Sequence, residues 1–270
     1  MAAMLRSMRP GSLRTASFPP IALFSDVDGT LLDSNDRLAI TARDVARLGP
    51  HAELILASSR TLVELDVIQR RLQVVAPMIA ENGAVVAFPP RWRGGNSTRA
   101  DIQVLGDSIA ELSPRVSQCA LETGVNVVDQ RDLLPDHARA LRREYSVCVR
   151  DWTGIGAEQF LDALHRDGLS ATRSGKWITI TRGADKGAAA RAVVDRAARN
   201  GASFETTVGI GNAANDAPLL AVTQGRYAIR NPRRGHQSEL LELAGVKPLA
   251  SSGARAWREA LNTILENGRL

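Results

Sequence analysis

Ile21-Ala22-Leu23-Phe24-Ser25-Asp26-Val27-Asp28-Gly29-Thr30-Leu31-Leu32-Asp33 joins a short apolar run to two carboxylates one residue apart and then to a glycine. A brief apolar run that ends in a turn predicts a buried strand. Asp26 and Asp28 then leave its carboxyl end, where open α/β sheets bind their ligands, and Gly29 lets the chain turn sharply. An acidic turn that merely caps a helix has the same local form, so the neighbouring segments decide between the two.

Those segments alternate. TARDVARLGP at 41–50 reads as a helix ended by Gly49 and Pro50, and ELILAS at 53–58 as a second strand. Thr61 to Leu72 follows as a helix with Leu62, Leu65, Ile68 and Leu72 on one face. PMIAENGAVVAF at 77–88 predicts two short strands around an Asn82-Gly83 turn. Strands alternating with helices imply right-handed crossovers and a parallel sheet.

From Pro89 to about Thr172 the texture changes. A turn-rich loop is followed by a possible strand at 101–105, a helix over 106–122 interrupted near Pro114, and a strand at 145–150. A helix from Ala157 to Asp167 and a strand at 176–181 complete an α+β insert. Alternation resumes with a helix from Lys186 to Arg199, a strand at 206–210, a short helix near Leu219, a strand at 227–229 and a terminal helix from about Ala254. The expectation is an α/β protein whose doubly wound parallel-sheet core spans 20–86 and 182–270, with a cap domain over 87–181 and a disordered basic tail over 1–19.

Composition narrows the function classes. The 270 residues are 44% hydrophobic and 23% charged, an ordinary globular balance. The formal charge of +5 resembles a nucleic-acid signal until the charges are located. Arg6, Arg9 and Arg14 lie in the acid-free opening, the remainder is nearly neutral, and aromatics make up only 4%, so few stacking platforms exist. No nucleic-acid partner is expected. No apolar run approaches the roughly 18 residues of a membrane span, so no membrane role is expected either. Cys119 and Cys148 lack metal-site spacing and suit a reducing, cytoplasmic compartment. His51, His137, His165 and His236 have no ligand spacing and read as structural or surface residues. Trp92 and Trp152 read as packing or covering residues of the insert. Oligomeric state is not written in the chain.

One carboxylate of Asp26 and Asp28 can attack while the other moves protons. An aspartate attacking an anionic phosphate needs a cation against the repulsion, hence a magnesium ion and a nearby lysine. Three later segments bear on this: Ala57-Ser58-Ser59-Arg60-Thr61 at the end of the second strand, Ala184-Asp185-Lys186-Gly187 at a helix start, and Gly209-Ile210-Gly211-Asn212-Ala213-Ala214-Asn215-Asp216 at another strand end. Lys186 is one of three lysines among 31 arginines, and a compact ammonium suits a crowded phosphate site better than a wide guanidinium. Gly209-x-Gly211-x-x-Ala214 also fits a dinucleotide fingerprint, but no acid stands at the end of the next strand to bind a ribose.

These four motifs in this order resemble the haloacid dehalogenase superfamily of phosphohydrolases. The resemblance implies Asp26 as nucleophile, Asp28 as acid and base, and Ser58, Lys186 and Asn215 around the phosphoryl group. It implies Mg2+ held by Asp26, Asp28, Asn212 and Asp216. Position 212 departs from the pattern, since the family usually carries an aspartate there, and the lost charge predicts weaker metal binding that Asp216 could offset. Gly29, Thr30, Ser59, Asn82 and Gly83 are further candidates for contact with substrate. Arg60 either pairs with an anionic substrate or caps its own loop.

The insert after the second motif, with Glu81-Asn82-Gly83-Ala84, resembles the branch with a large α/β cap that includes Cof-type, sucrose-phosphate and mannosyl-3-phosphoglycerate phosphatases. SSRT-x-x-E, ENGA and NDAPLL resemble the last of these, which serves mannosylglycerate biosynthesis. By that resemblance Lys176, in Gly175-Lys176-Trp177, would touch a sugar or glycerate carboxylate. A small phosphorylated sugar or glycosyl-glycerate is the implied substrate, with another small phosphoester as the alternative. A metal-impaired binding protein, suggested by Asn212, is the reading from a different class.

Overall fold

The computed structural model describes residues 18–135, 138, 141–150, 156–174, 177–232 and 234–267. The basic tail through residue 17, His137, Trp152 and Lys176 lie outside the described residues. The first half runs β1 (Ile21–Ser25), α1 (Ala42–Ala46), β2 (Ala52–Ala57), α2 (Leu62–Leu72), β3 (Met78–Ala80), β4 (Val85–Phe88) and β5 (Asp101–Val104). Then come α3 (Ile109–Thr123), α4 (Gln130–Leu133), β6 (Val147–Arg150), α5 (Ala157–Arg166), β7 (Ser170–Ser174) and β8 (Trp177–Thr181). The chain closes with α6 (Lys186–Arg199), β9 (Thr206–Gly211), α7 (Ala217–Val222), β10 (Gly225–Ala228), α8 (Ser238–Leu241), β11 (Lys247–Pro248) and α9 (Gly253–Asn267).

Two sheets result. The larger has the order β11-β10-β9-β1-β2-β3-β4-β5, and its pairings are parallel from β11 through β3 and antiparallel from β3 to β5. The smaller is the antiparallel β6-β8-β7. The chain is therefore a mixed α/β protein with a parallel-dominated central sheet.

Strand geometry explains the layers, because successive side chains face opposite sides. Ile21 and Leu23 of β1 join one apolar cluster with Leu65 and Leu72 of α2 and Trp257 and Leu261 of α9. Ala22 and Phe24 join the other with Ala189 and Val193 of α6 and Leu219 of α7. Helices thus cover both faces, and every residue of β1 is buried. The small sheet has its own core, where Leu112 and Val116 of α3 and Phe160 and Leu164 of α5 pack on Val147, Val149, Ile178 and Ile180.

The structure corrects two expectations and adds a strand to the insert. Residues 101–104, assigned to the insert, hydrogen-bond to β4 at the edge of the larger sheet, with only alternate side chains exposed, so a wholly local reading could not see the partner. Helix α3 runs through Pro114 without interruption. A proline in the second turn forfeits one helical N–H, while buried Leu112, Val116, Cys119 and Ala120 and the Glu111 carboxylate accepting from the Ser108 N–H hold the helix. Strand β7, polar and short, was not foreseen; it exists because β8 offers it an antiparallel edge.

Candidate active site

The site forms where β1, β2 and β9 end. The Asp26 N–H donates to the Ile210 carbonyl of β9 at 2.9 Å, which fixes the first carboxylate against the neighbouring strand end. Beyond it the N–H groups of Thr30, Leu31 and Leu32 all converge on the Val27 carbonyl, a turn that holds Gly29 at φ +74°. Thr30 Oγ1 donates to Asp26 Oδ2 at 3.2 Å.

Lys186 is the first residue of α6, whose N-cap Asp185 accepts from the Ala188 N–H at 2.7 Å. Its ammonium donates to Asp26 Oδ1 at 2.7 Å and to Asp216 Oδ1 at 2.6 Å, and all three side chains are buried. Burial works against the ammonium, yet the carboxylates of Asp216 and Asp26 keep it protonated well above the ordinary lysine range. Burial, and then the charge of Asp216, push the Asp26 carboxyl up to about 7 against the pull of Lys186. Asp26 thus changes charge near neutrality instead of in acid.

Asp28 stands at the mouth. Ser58 Oγ donates to its Oδ2 at 3.2 Å, and Arg60 reaches Oδ1 through Nε at 2.9 Å and Nη2 at 2.6 Å. Arg60 also pairs with Asp36 at 2.8 Å and with Glu64 at 3.3 Å. Of the two roles open to Arg60, the arrangement shows it engaged by carboxylates of the protein. Thr61 is the N-cap of α2, with the Glu64 carboxylate accepting from its N–H in a capping box, which separates it from Ser58 and Ser59.

The turn at 81–83 lies beneath these loops. Glu81 N–H and Asn82 N–H donate to the carbonyls of Arg60 and Ser58, and Asn215 Nδ2 donates to Asn82 Oδ1 at 2.9 Å. Gly83 is at φ +96°, and a Cβ there would stand 2.1 Å from the Asp185 carbonyl oxygen, so only glycine lets this turn approach the start of α6. The Glu81 carboxylate, part of the ENGA motif but not among the candidate site residues, accepts from the N–H groups of Glu144 and Tyr145 and from Ser146 Oγ, tying the turn to the segment that leads into β6.

On the β9 side, Asp216 Oδ2 accepts from the N–H groups of Asn212 and Ala213 at 2.8 and 3.0 Å. With Lys186 on its other oxygen, Asp216 is held inside the loop and does not line the cleft. Asn212 does line it, and its Nδ2 donates to the Asp28 backbone carbonyl at 2.9 Å.

The cleft above measures about 1010 Å3. Asp26, Asp28, Gly29, Ser59, Asn82, Lys186, Asn212 and Asn215 all border it, whereas Ser58 and Thr30 stand behind Asp28 and Asp26. Its other wall comes from the small sheet, with Thr172, Arg173 and Trp177, and from Asn231 and Arg234 after β10. Arg173 and Arg234 went unnoticed because no local pattern distinguishes them among 31 arginines. None of His51, His165 and His236 borders the cleft.

A hard divalent cation takes oxygen donors. Among the described residues no cluster of three or more His, Cys, Asp or Glu side chains suited to a metal gathers anywhere. The donors at hand are instead a mixed set: the Asp26 carboxylate, the Asp28 backbone carbonyl and the side-chain carbonyl of Asn212, brought together by contact of the two loops. This chemistry fits magnesium once the Asn212 amide turns its oxygen inward.

Residues 23–115 match the family model described as haloacid dehalogenase-like hydrolase. A glucosyl-3-phosphoglycerate/mannosyl-3-phosphoglycerate phosphatase of Persephonella marina is 28% identical over 267 residues, which cover 91% of this chain and 97% of that protein. In fold, the chain is similar to a Thermoplasma acidophilum protein with a TM-score of 0.67 at 14% identity, covering 92% of this chain and 99% of that one. It is also similar to the sucrose-phosphatase of Synechocystis sp. PCC6803, with a TM-score of 0.59 at 16% identity over 92% and 98% of the two chains. No helix among the described residues is long and apolar enough to cross a membrane. Taken with two aspartates at the end of a parallel strand and a buried lysine at a helix start, these similarities make the chain an enzyme of the phosphatase kind whose residues 23–115 carry the haloacid dehalogenase-like hydrolase pattern.

Proposed function

We propose that the protein is a magnesium-dependent phosphomonoester hydrolase that works through an aspartyl-phosphate, and that its substrate is mannosyl-3-phosphoglycerate or a close glycosyl-phosphoglycerate. The observation that carries the chemistry is the buried Asp26–Lys186–Asp216 chain of charges opening on a cleft beside Asp28. The substrate class rests on the Persephonella marina relative and on Arg173 and Arg234 in the cleft wall, cations of the kind that take up a carboxylate beyond the phosphate.

In this reading Asp26 attacks phosphorus, the bond from phosphorus to the ester oxygen breaks, and Asp28 delivers a proton to the departing alkoxide. Asp28 as carboxylate then takes a proton from water, whose oxygen attacks the phosphorus of the aspartyl-phosphate, releasing phosphate and restoring Asp26. Ser58 and Arg60 hold Asp28 where both transfers begin, and Lys186 with Asn215 faces the charge on the phosphoryl oxygens. Thr30 orients the nucleophile, and Asn82 orients Asn215. Magnesium, held by Asp26, the Asp28 carbonyl and Asn212 with Asp216 bracing the loop, would offset the negative charge of nucleophile and phosphate. The unit built on β6-β8-β7 acts as the cap over the cleft, and free, buried Cys119 and Cys148 accord with a cytoplasmic setting.

The test is phosphate release from a panel of phosphorylated sugars, glycosyl-phosphoglycerates and nucleotides under a magnesium titration. Selective release from mannosyl-3-phosphoglycerate is the expected result. Release favouring another ester moves the substrate, and no release from any ester at saturating magnesium overturns the hydrolase reading in favour of a binding protein.

The Asp26 carboxyl adds a pH expectation. Only its ionised form attacks, so at limiting magnesium kcat/KM climbs as pH rises through about 7, and saturating magnesium moves the climb to lower pH. The linkage to stability has the opposite sense. With the folded pKa raised above the unfolded 3.8, this group favours folding most below about pH 4 and loses that contribution as pH rises through about 7. Rate profiles at limiting magnesium and melting profiles at a series of pH values check both, and a measurable rate flat from pH 5 to pH 8 at limiting magnesium contradicts the role given to Asp26.

A further inference from the structure

The Asn212 side chain spans the two loops that carry the carboxylates. Its Nδ2 lies 2.9 Å from the Asp28 carbonyl oxygen. Only the amide orientation with nitrogen inward satisfies this contact, since Oδ1 in the same place would set two acceptors against each other. The side chain packs against Gly29 on one side and borders the cleft on the other. A Cβ on Gly29 would stand 2.3 Å from Asn212 Nδ2, and a Cβ on Gly211 would stand 2.3 Å from Asp216 Cβ. Meanwhile the Asn212 backbone is pinned by its N–H to Asp216 Oδ2. The root of the side chain is therefore held while its amide borders the cleft.

The spacing has a second meaning. Two oxygens on adjacent corners of a magnesium octahedron, each about 2.1 Å from the ion, stand about 3.0 Å apart, close to this spacing. The place now filled by Nδ2 is thus the place a ligating oxygen would fill beside the Asp28 carbonyl. A carboxylate at 212 would have no hydrogen to offer, and would need a cation to neutralise its repulsion from that carbonyl and from Asp26.

We propose that the Asn212 amide is a built-in substitute for the cation bridge between the Asp28 and 212–216 loops. It cross-links them by its own hydrogen bond, and a divalent cation enters only as the amide turns and exchanges that bond for ligation through Oδ1. The consequence is a site whose architecture is held without metal and whose metal affinity is lowered by the bond that must be given up. The inference rests on the proposed function only for the identity of the cation.

The test uses the full chain, magnesium chloride alone and no substrate. At one fixed magnesium concentration, subsaturating for wild type, the wild-type melting temperature should rise only slightly above its value in chelator. In Asn212→Asp it should fall by several degrees in chelator and recover with magnesium, and calorimetric titration should show magnesium bound on the order of tenfold more tightly than by wild type, as an added ligand charge requires. Equal stability of the two proteins in chelator, or an equal gain from magnesium in both, overturns the proposal. If Asn212→Asp fails to fold in chelator, folding restored by magnesium supports the bridge and continued failure is decided on wild type by NMR. There the Asn212 side-chain NH2 should be protected from solvent exchange in chelator and lose that protection at saturating magnesium; protection that persists overturns the proposal. Because no reading involves turnover, absence of phosphate release counts against the proposed function without touching this inference.

Discussion

Asp26→Asn is expected to lower kcat on the order of 10³-fold or more on any ester the protein hydrolyses, while the fold stays in place. The amide has the shape of the carboxylate but no nucleophilic oxygen anion, so formation of the aspartyl-phosphate stops. The fold survives because the surrounding partners keep theirs. Lys186 retains Asp216 at 2.6 Å and can donate to the amide oxygen at position 26, while the Thr30 hydroxyl can turn to accept from the amide nitrogen. Burial and the neighbouring Asp216 already disfavour a charge on Asp26, so its loss removes repulsion instead of creating an orphan. Phosphate release with the substrate identified by the panel, beside thermal melting, makes the measurement. Turnover near the wild-type rate in a folded Asp26→Asn protein would end the mechanism.

Lys186→Met has the second large effect, and it falls on stability as well as rate. The ammonium is wholly buried and bridges two buried carboxylates. Removing one partner of a buried ionic cluster leaves uncompensated charge and costs about 3–5 kcal/mol. Methionine fills much of the volume but donates nothing, so Asp26 and Asp216 face each other across an apolar side chain and at least one must take up a proton. Urea unfolding should show the loss, and phosphate release should fall below detection. Adding Asp216→Asn should restore part of the stability and none of the turnover, because it removes the repulsion without returning a cation to the phosphoryl site. A single Lys186→Met protein as stable as wild type would mean that the cluster is not held by this ammonium.

The contrast between these variants reflects how the site is assembled. Asp26 is placed by a strand end and Lys186 by a helix start, and both boundaries are marked locally: the apolar run IALF followed by Gly29, and the Asp185 N-cap before a helix of alanines. Ser58 was readable for the same reason, at the end of β2. Such signals lie within a few residues of the side chains they position, so the parallel-dominated sheet and the strand-end loops that border the cleft were legible from the chain alone.

Contacts between distant segments were not. Nothing near Arg60 says that its guanidinium spans to Asp28, 32 residues earlier, or to Asp36, because an arginine beside an acidic turn suits substrate and protein carboxylates equally. Glu81 meets the backbone of Glu144 and Tyr145 and the Ser146 hydroxyl across more than 60 residues, and β5 joins the larger sheet only through β4. The loss of a charge at position 212 could be read from one letter; that its amide grips the Asp28 carbonyl could not. Strand ends, helix starts and the charges they carry are properties of local sequence. Which donor satisfies which buried acceptor is settled only when the two loops pack, because each such group must find a partner among whatever the tertiary fold brings within about 3 Å.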